Sequence, residues 1–283
     1  MNPVVTSVVN RPREIADGIW WIPSCLNLTV AQQQVHVHNS PYLVLGSEKA
    51  LLWDSSDPTS WQGISESLDE LLDGRTLDYI VPSHQEVPHS GNVRRLLDKY
   101  PEAMILGDVR DYHVLFPDVA DRLHSLPPGS QIDLGSGDSF VIVDAIIKDL
   151  PATQWGYATR QQVLFTADAF AYSHMAPADD EDRPLHRPDE CMRLASELDG
   201  RPGPDNVVWI TRAALYWARF IPIDDHLPAF KALLAQYPAK LIAPSHGSVI
   251  DDMTLIPVIW EALSLAYDPE GGVAAAVGTV ASG

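Results

Sequence analysis

At 283 residues the chain is longer than a typical domain, yet layered α/β enzymes of this size are often built on one continuous core. One domain is expected over residues 1–270, followed by a flexible small-residue tail over 271–283. Hydrophobic residues make up 46% and charged residues 20%, which excludes a disordered profile. The 38 acidic residues against 19 basic ones give a formal net charge of -19, so the surface repels phosphate backbones and anionic headgroups. Neither nucleic acid nor a membrane is expected as a partner.

Cys25 and Cys191 are the only cysteines, too few for a disulfide framework and without the paired spacing of a thiolate zinc site. The N-terminus has no apolar run behind a basic start, and no later stretch is apolar for the length of a bilayer, so a cytoplasmic protein is expected.

Short apolar strands are predicted at Ile19 to Ile22, Tyr42 to Leu45, Leu51 to Asp54 and Tyr79 to Val81. Between them, Ile64 to Leu72 carries a helical stripe at Ile64, Leu68, Leu71 and Leu72, and Val93 to Leu97 reads as a helix behind Ser90, Gly91 and Asn92. Further strands are predicted at Met104 to Leu106, Phe140 to Ile147 and Val163 to Thr166, enough for a second sheet. Ala176 to Pro188 is acidic and proline-rich, the composition of an exposed loop. Helices are then expected over Glu190 to Leu198, Val207 to Phe220 and Leu227 to Tyr237, a strand over Lys240 to Ala243, and a closing helix over Met253 to Ala266.

The chemistry concentrates where three apolar strands run into polar loops. After Tyr79 to Val81 come His84, Glu86 and His89; residues two apart share a side in extended backbone, and a turn at Pro88 can bring His89 back towards the pair. Converging nitrogen and oxygen donors suit zinc, iron or manganese. Two segments repeat the form, Val163 to Asp168 and Leu241 to Gly247, delivering Asp168 and His246. A carboxylate such as Asp168 can bridge two divalent cations. Alone, a strand-end Asp is more often a helix cap and a strand-end His a surface residue; the recurrence is what argues for a site.

These segments resemble the metallo-β-lactamase superfamily, and within it the lactamase-like domain of flavodiiron and oxygen-binding diiron proteins. The family motif His-x-Glu-x-Asp-His-Ser-Gly is matched by His84-Gln-Glu86-Val-Pro88-His89-Ser90-Gly91, the bridging-aspartate stretch by Phe165-Thr-Ala-Asp168-Ala-Phe170, and the last-ligand stretch by Ala243 to Gly247. The resemblance implies an αββα sandwich of two mixed sheets flanked by helices, and a pocket histidine at His174. It departs at two places: the second-metal aspartate is Pro88, and the expected histidine of a further ligand stretch aligns with Asp149. One metal would then be held by His84, Glu86, Asp149 and Asp168, and the other by His89, His246 and Asp168. The remaining histidines have plainer expectations. His36 and His38, alternating in a strand-like segment, are expected to be half-buried and structural, and His113, His124, His186 and His226 to lie on the surface. Trp20, Trp21, Trp155, Trp209, Trp217 and Tyr216 are expected to fill the core.

Three functions follow. The first is hydrolysis of a small-molecule substrate by a water whose pKa two metals lower from near 16 toward about 7, with Asp168 holding the bridge and His174, or the unligated oxygen of a carboxylate, shuttling the proton. The second is a non-haem diiron centre that binds, reduces or activates dioxygen or nitric oxide. Fewer than forty residues follow His246, so no FMN-carrying flavodoxin module is expected and electrons would come from a separate redox partner. The third, prompted by Pro88, is a non-catalytic subunit or oxygen sensor. Relatives of this kind imply a homo-oligomer or a partner subunit.

Overall fold

The computed structural model describes residues 6–30, 33–175 and 188–268. Strand periodicity decides its layers. In Ala50–Trp53, Leu51 and Trp53 face one way and Ala50 and Leu52 the other; in Asp138–Asp144, Phe140 and Ile142 oppose Val141 and Val143. Both faces of both strands are apolar, so each sheet must be covered twice.

The first sheet has seven strands, in spatial order Leu123–Ser125, Met104–Gly107, Tyr79–Val81, Ala50–Trp53, Tyr42–Leu45, Ile19–Trp21 and Arg13–Ala16. Its first four strands are mutually parallel and the rest antiparallel. The second has five, Gln131–Gly135, Asp138–Asp144, Gln154–Ala158, Val163–Phe165 and Leu241–Ala243, antiparallel except for the last pair. Between the sheets lies a core of Trp21, Tyr42, Trp53, Phe140, Ile142 and Phe165. Gly156 is what lets them close: a Cβ there would lie 2.2 Å from Phe140 Cζ and 2.9 Å from Trp53 Cζ3.

Helices Trp61–Leu72 and Val93–Lys99 cover the outer face of the first sheet through Ile64, Leu68, Leu96 and Leu97. Pro204–Ala214, Leu227–Gln236 and Ile256–Ser264 cover the second through Val207, Phe230, Ile259 and Trp260. The chain is thus an αββα sandwich, as the family resemblance implied. A three-stranded antiparallel ribbon, Thr6–Val9, Ser24–Val30 and Gln33–His38, stands apart from both sheets.

Several elements differ from expectation. The strand expected to run to Ile147 stops at Asp144, and the chain then bends through buried Ala145 and Ile147 to Asp149. The helix expected over Val207 to Phe220 breaks at Leu215 (φ -110°, ψ 68°), which buries Leu215 and turns Tyr216 outward; Tyr216 is 65% exposed and is not a core residue. Glu190 to Leu198 forms no continuous helix, only Pro188–Cys191 and a 3₁₀ turn at Ala195–Glu197. The strands Arg13–Ala16, Gln131–Gly135 and Gln154–Ala158 had no expectation attached to them. The acidic stretch, up to residue 187, and the tail lie outside the described residues, as does His186. No described helix is long and apolar enough to cross a membrane.

Candidate metal centre

Parallel strands bring their carboxyl ends to one edge, where loops can converge. Ala50–Trp53 and Tyr79–Val81 run parallel in one sheet and deliver Asp54 and the loop from Pro82 to Gly91. Val163–Phe165 and Leu241–Ala243 run parallel in the other and deliver Asp168 and His246. The two edges are stitched together: Ser83 O accepts from Gln154 N at 2.9 Å, Pro82 O from Gln154 Nε2 at 2.8 Å, and Pro244 O from Tyr42 Oη at 2.7 Å.

At this edge Asp168 divides its two oxygens. Oδ1 lies 2.8 Å from His246 Nε2 and 3.1 Å from His89 Nε2, and Oδ2 lies 3.4 Å from His84 Nε2. His84 Nε2 is also 3.2 Å from Asp149 Oδ2, and donor atoms of His84, Glu86 and Asp149 all lie within 4.8 Å of one another. The structure therefore brings all six residues proposed as ligands to one edge, and it also sets His84 beside His89, with donor atoms of His84, His89 and Asp168 within 4.8 Å of one another. Glu86 is exposed, whereas His84, His89, Asp168 and His246 are buried. His89 arrives not by an extended loop but on the short helix Val87–Ser90, which has Pro88 in its first turn.

The imidazoles are oriented from behind. His246 Nδ1 lies 2.7 Å from His38 O and His89 Nδ1 2.9 Å from Asp54 Oδ2, so each ring donates Nδ1–H and presents Nε2 to Asp168. Asp54 also accepts from Ser83 N and Ser245 Oγ, each at 2.6 Å. Burial opposes the charge of Asp54, but His89 and these hydrogen bonds outweigh it and hold the carboxyl below its usual value.

The centre asks for positive charge. His84 Nε2, His89 Nε2, Asp149 Oδ2 and both Asp168 oxygens are buried and make no hydrogen bond among the described residues, although they face one another at 2.8–3.4 Å. Burial would lower His89, yet Asp54 and Asp168 raise it well above the ordinary imidazole value. Burial, then the charge of His89, pushes His84 down to about 3. Burial and neighbouring carboxylates push Glu86 and Asp149 up. Buried carboxylates and imidazoles gathered this closely are a donor set that divalent cations can take.

His174 has its contacts elsewhere. Its Nε2 lies 3.6 Å from Cys191 Sγ, and its ring centroid 5.1 and 5.4 Å from those of His36 and His38. His36 and His38 are fully buried rather than half-buried. Asp54, Ser83 and Ser245 were not singled out as site residues; their signal, a polar residue at a strand end, is the one that marked Asp168 and His246.

Residues 37–247 match the family model described as the ODP family beta lactamase. The anaerobic nitric oxide reductase flavorubredoxin of Vibrio vulnificus is 29% identical over 164 residues, 55% of this chain and 32% of that protein. The coenzyme F420H(2) oxidase of Methanocaldococcus jannaschii is 27% identical over 261 residues, 86% and 58% respectively. Among solved structures, the metal-soaked Flv1 flavodiiron core from Synechocystis superposes with a TM-score of 0.64 at 19% identity, covering 93% of this chain and 62% of that one. The chain thus spans between a third and three fifths of the length of these curated relatives. They correct the first functional expectation: the activities named for these relatives are a reductase and an oxidase, not hydrolysis. From its matched segment and its layered fold, the chain belongs to the ODP family of beta-lactamase-like proteins.

Proposed function

We propose that the chain carries a non-haem diiron centre that binds and reduces dioxygen or nitric oxide, with electrons supplied by a separate redox partner. The division of the Asp168 oxygens between two sets of donors carries this reading, because a bridging carboxylate is what a dinuclear site requires. His84, Glu86, Asp149 and Asp168 would hold one metal, and His89, His246 and Asp168 the other. The unbonded buried nitrogens and oxygens fit that assignment. When bound, iron supplies redox equivalents and open coordination positions.

The chain's own residues orient and shield. Asp54 and the His38 carbonyl fix the tautomers of His89 and His246, and Ser83 and Ser245 anchor Asp54. Pro88 contributes no ligand atom, so the set around His89 and His246 is short of one donor, and that is where a diatomic ligand would enter. The same observation favours a second reading, a sensor that binds the diatomic molecule without turnover.

One experiment separates them. Iron-loaded protein, with a reducing agent and an electron mediator, is mixed anaerobically with nitric oxide and, separately, with dissolved oxygen, and consumption is followed by electrode. Catalytic consumption that disappears in Asp168→Asn is expected. A spectral change without turnover would point to the sensor, and no response in protein containing two irons would overturn both readings.

A further inference from the structure

The antiparallel pairing of Ser24–Val30 with Gln33–His38 sets Cys25 opposite His38 and Asn27 opposite His36. Residues two apart share a face of a strand, so Cys25, His36 and His38 project from one side of the ribbon. The short helix Pro188–Cys191 brings Cys191 onto that side from more than 150 residues away. One donor atom from each of these four residues lies within 4.8 Å of the other three, and all four side chains belong to residues exposed by 2% or less.

We propose that Cys25, His36, His38 and Cys191 form a second metal site, separate from the Asp168 centre, that takes one zinc ion in tetrahedral coordination. Two thiolates and two imidazoles are a closed structural zinc set, with no position left for substrate. Zinc–sulfur bonds of about 2.3 Å and zinc–nitrogen bonds of about 2.0–2.1 Å put donor atoms roughly 3.3–3.8 Å apart. His36 Nε2 is already 3.3 Å from Cys191 Sγ.

The surroundings set each donor for that task. His36 Nδ1 lies 2.7 Å from Asn27 Oδ1; donation of Nδ1–H to that amide oxygen leaves the lone pair on Nε2, the atom nearest Cys191 Sγ. His38 Nε2 lies 3.0 Å from Cys191 O, and a neutral ring donating there keeps its lone pair on Nδ1, which has no hydrogen-bond partner among the described residues. Asn10 Nδ2 lies 3.3 Å from Cys25 Sγ, within reach of the sulfur as a donor.

The ion would tie the ribbon to the helix Pro188–Cys191. It would also fix the His38 carbonyl that orients His246, and so brace the Asp168 centre from behind. The sequence spacing concealed it, because the two cysteines stand alone in the chain and the histidines alternate on a strand.

Metal analysis of protein purified under reducing, chelator-free conditions tests the site. About one zinc per chain is expected, lost in Cys25→Ser and in Cys191→Ser, and retained in Asp168→Asn, which strips the other centre. Failure of the diiron reading would leave this zinc in place. Should the cysteine variants not fold, cobalt-grown wild-type protein replaces them, and a thiolate-to-cobalt charge-transfer band is expected. Zinc unchanged in the folded cysteine variants, no such band in the cobalt protein, or a Cys25–Cys191 disulfide in protein kept from oxidants would overturn the proposal.

Discussion

In the proposed diiron centre, Asp54 would act without touching metal. Its carboxylate meets His89, Ser83 and Ser245 at once, so its loss frees the imidazole that Asp168 needs held. Asp54→Asn should weaken metal binding by about 10–100-fold, the usual effect of losing a group that orients a ligand. Competition against a chromophoric chelator measures this, and unchanged affinity would remove Asp54 from the account. Asp149→Ala should lower bound metal by about one equivalent, since Asp149 meets His84 at 3.2 Å. Pro88→Asp, restoring a carboxylate on the helix beside His89, should tighten the weaker metal; elemental analysis after graded chelation reads both. The proposed ligands His84, Glu86, His89, Asp168 and His246 were legible as candidates because each sits in a local motif at the end of a strand. Asp149 rested on the family resemblance and has no local signature of its own. Cys25 and Cys191 were not legible, since only tertiary packing brings a ribbon cysteine to a helix more than 150 residues later.

At the scale of elements, periodicity placed what is regular and missed what is bent. The helix Trp61–Leu72 and the strands Tyr42–Leu45 and Tyr79–Val81 stand where the apolar pattern put them, because each carries its own buried face. Gln154–Ala158 was missed: its inner face contains a glycine where an apolar side chain would announce a strand. Gly156 is small because the sandwich closes over it. Gly156→Ala should therefore destabilise the fold by about 1–3 kcal/mol through overpacking against Phe140 and Trp53. Urea unfolding tests this, and a midpoint equal to wild type would mean that the two rings have room to move.

For the molecule as a whole, the centre lies where both sheets end, so ligands from the first sheet's loops and from the second's are joined through Asp168. Metal bound there favours only the folded chain, and stripping it should lower the unfolding temperature. Calorimetry before and after dialysis against chelator reads the difference, and identical curves would show that the sheets need no metal to stay together. Periodicity made the strands and a second sheet legible, whereas the αββα layering came from the family resemblance. The reaction was not legible, because the same layers and the same bridging carboxylate serve hydrolysis and redox chemistry alike. Anaerobic iron analysis combined with absorption spectra before and after admission of oxygen tests whether the Asp168 centre is diiron and redox-active. Two irons per chain, with bands that change on oxygen addition and return on reduction, are predicted; a colourless Asp168 centre filled with zinc, indifferent to oxygen, would contradict it.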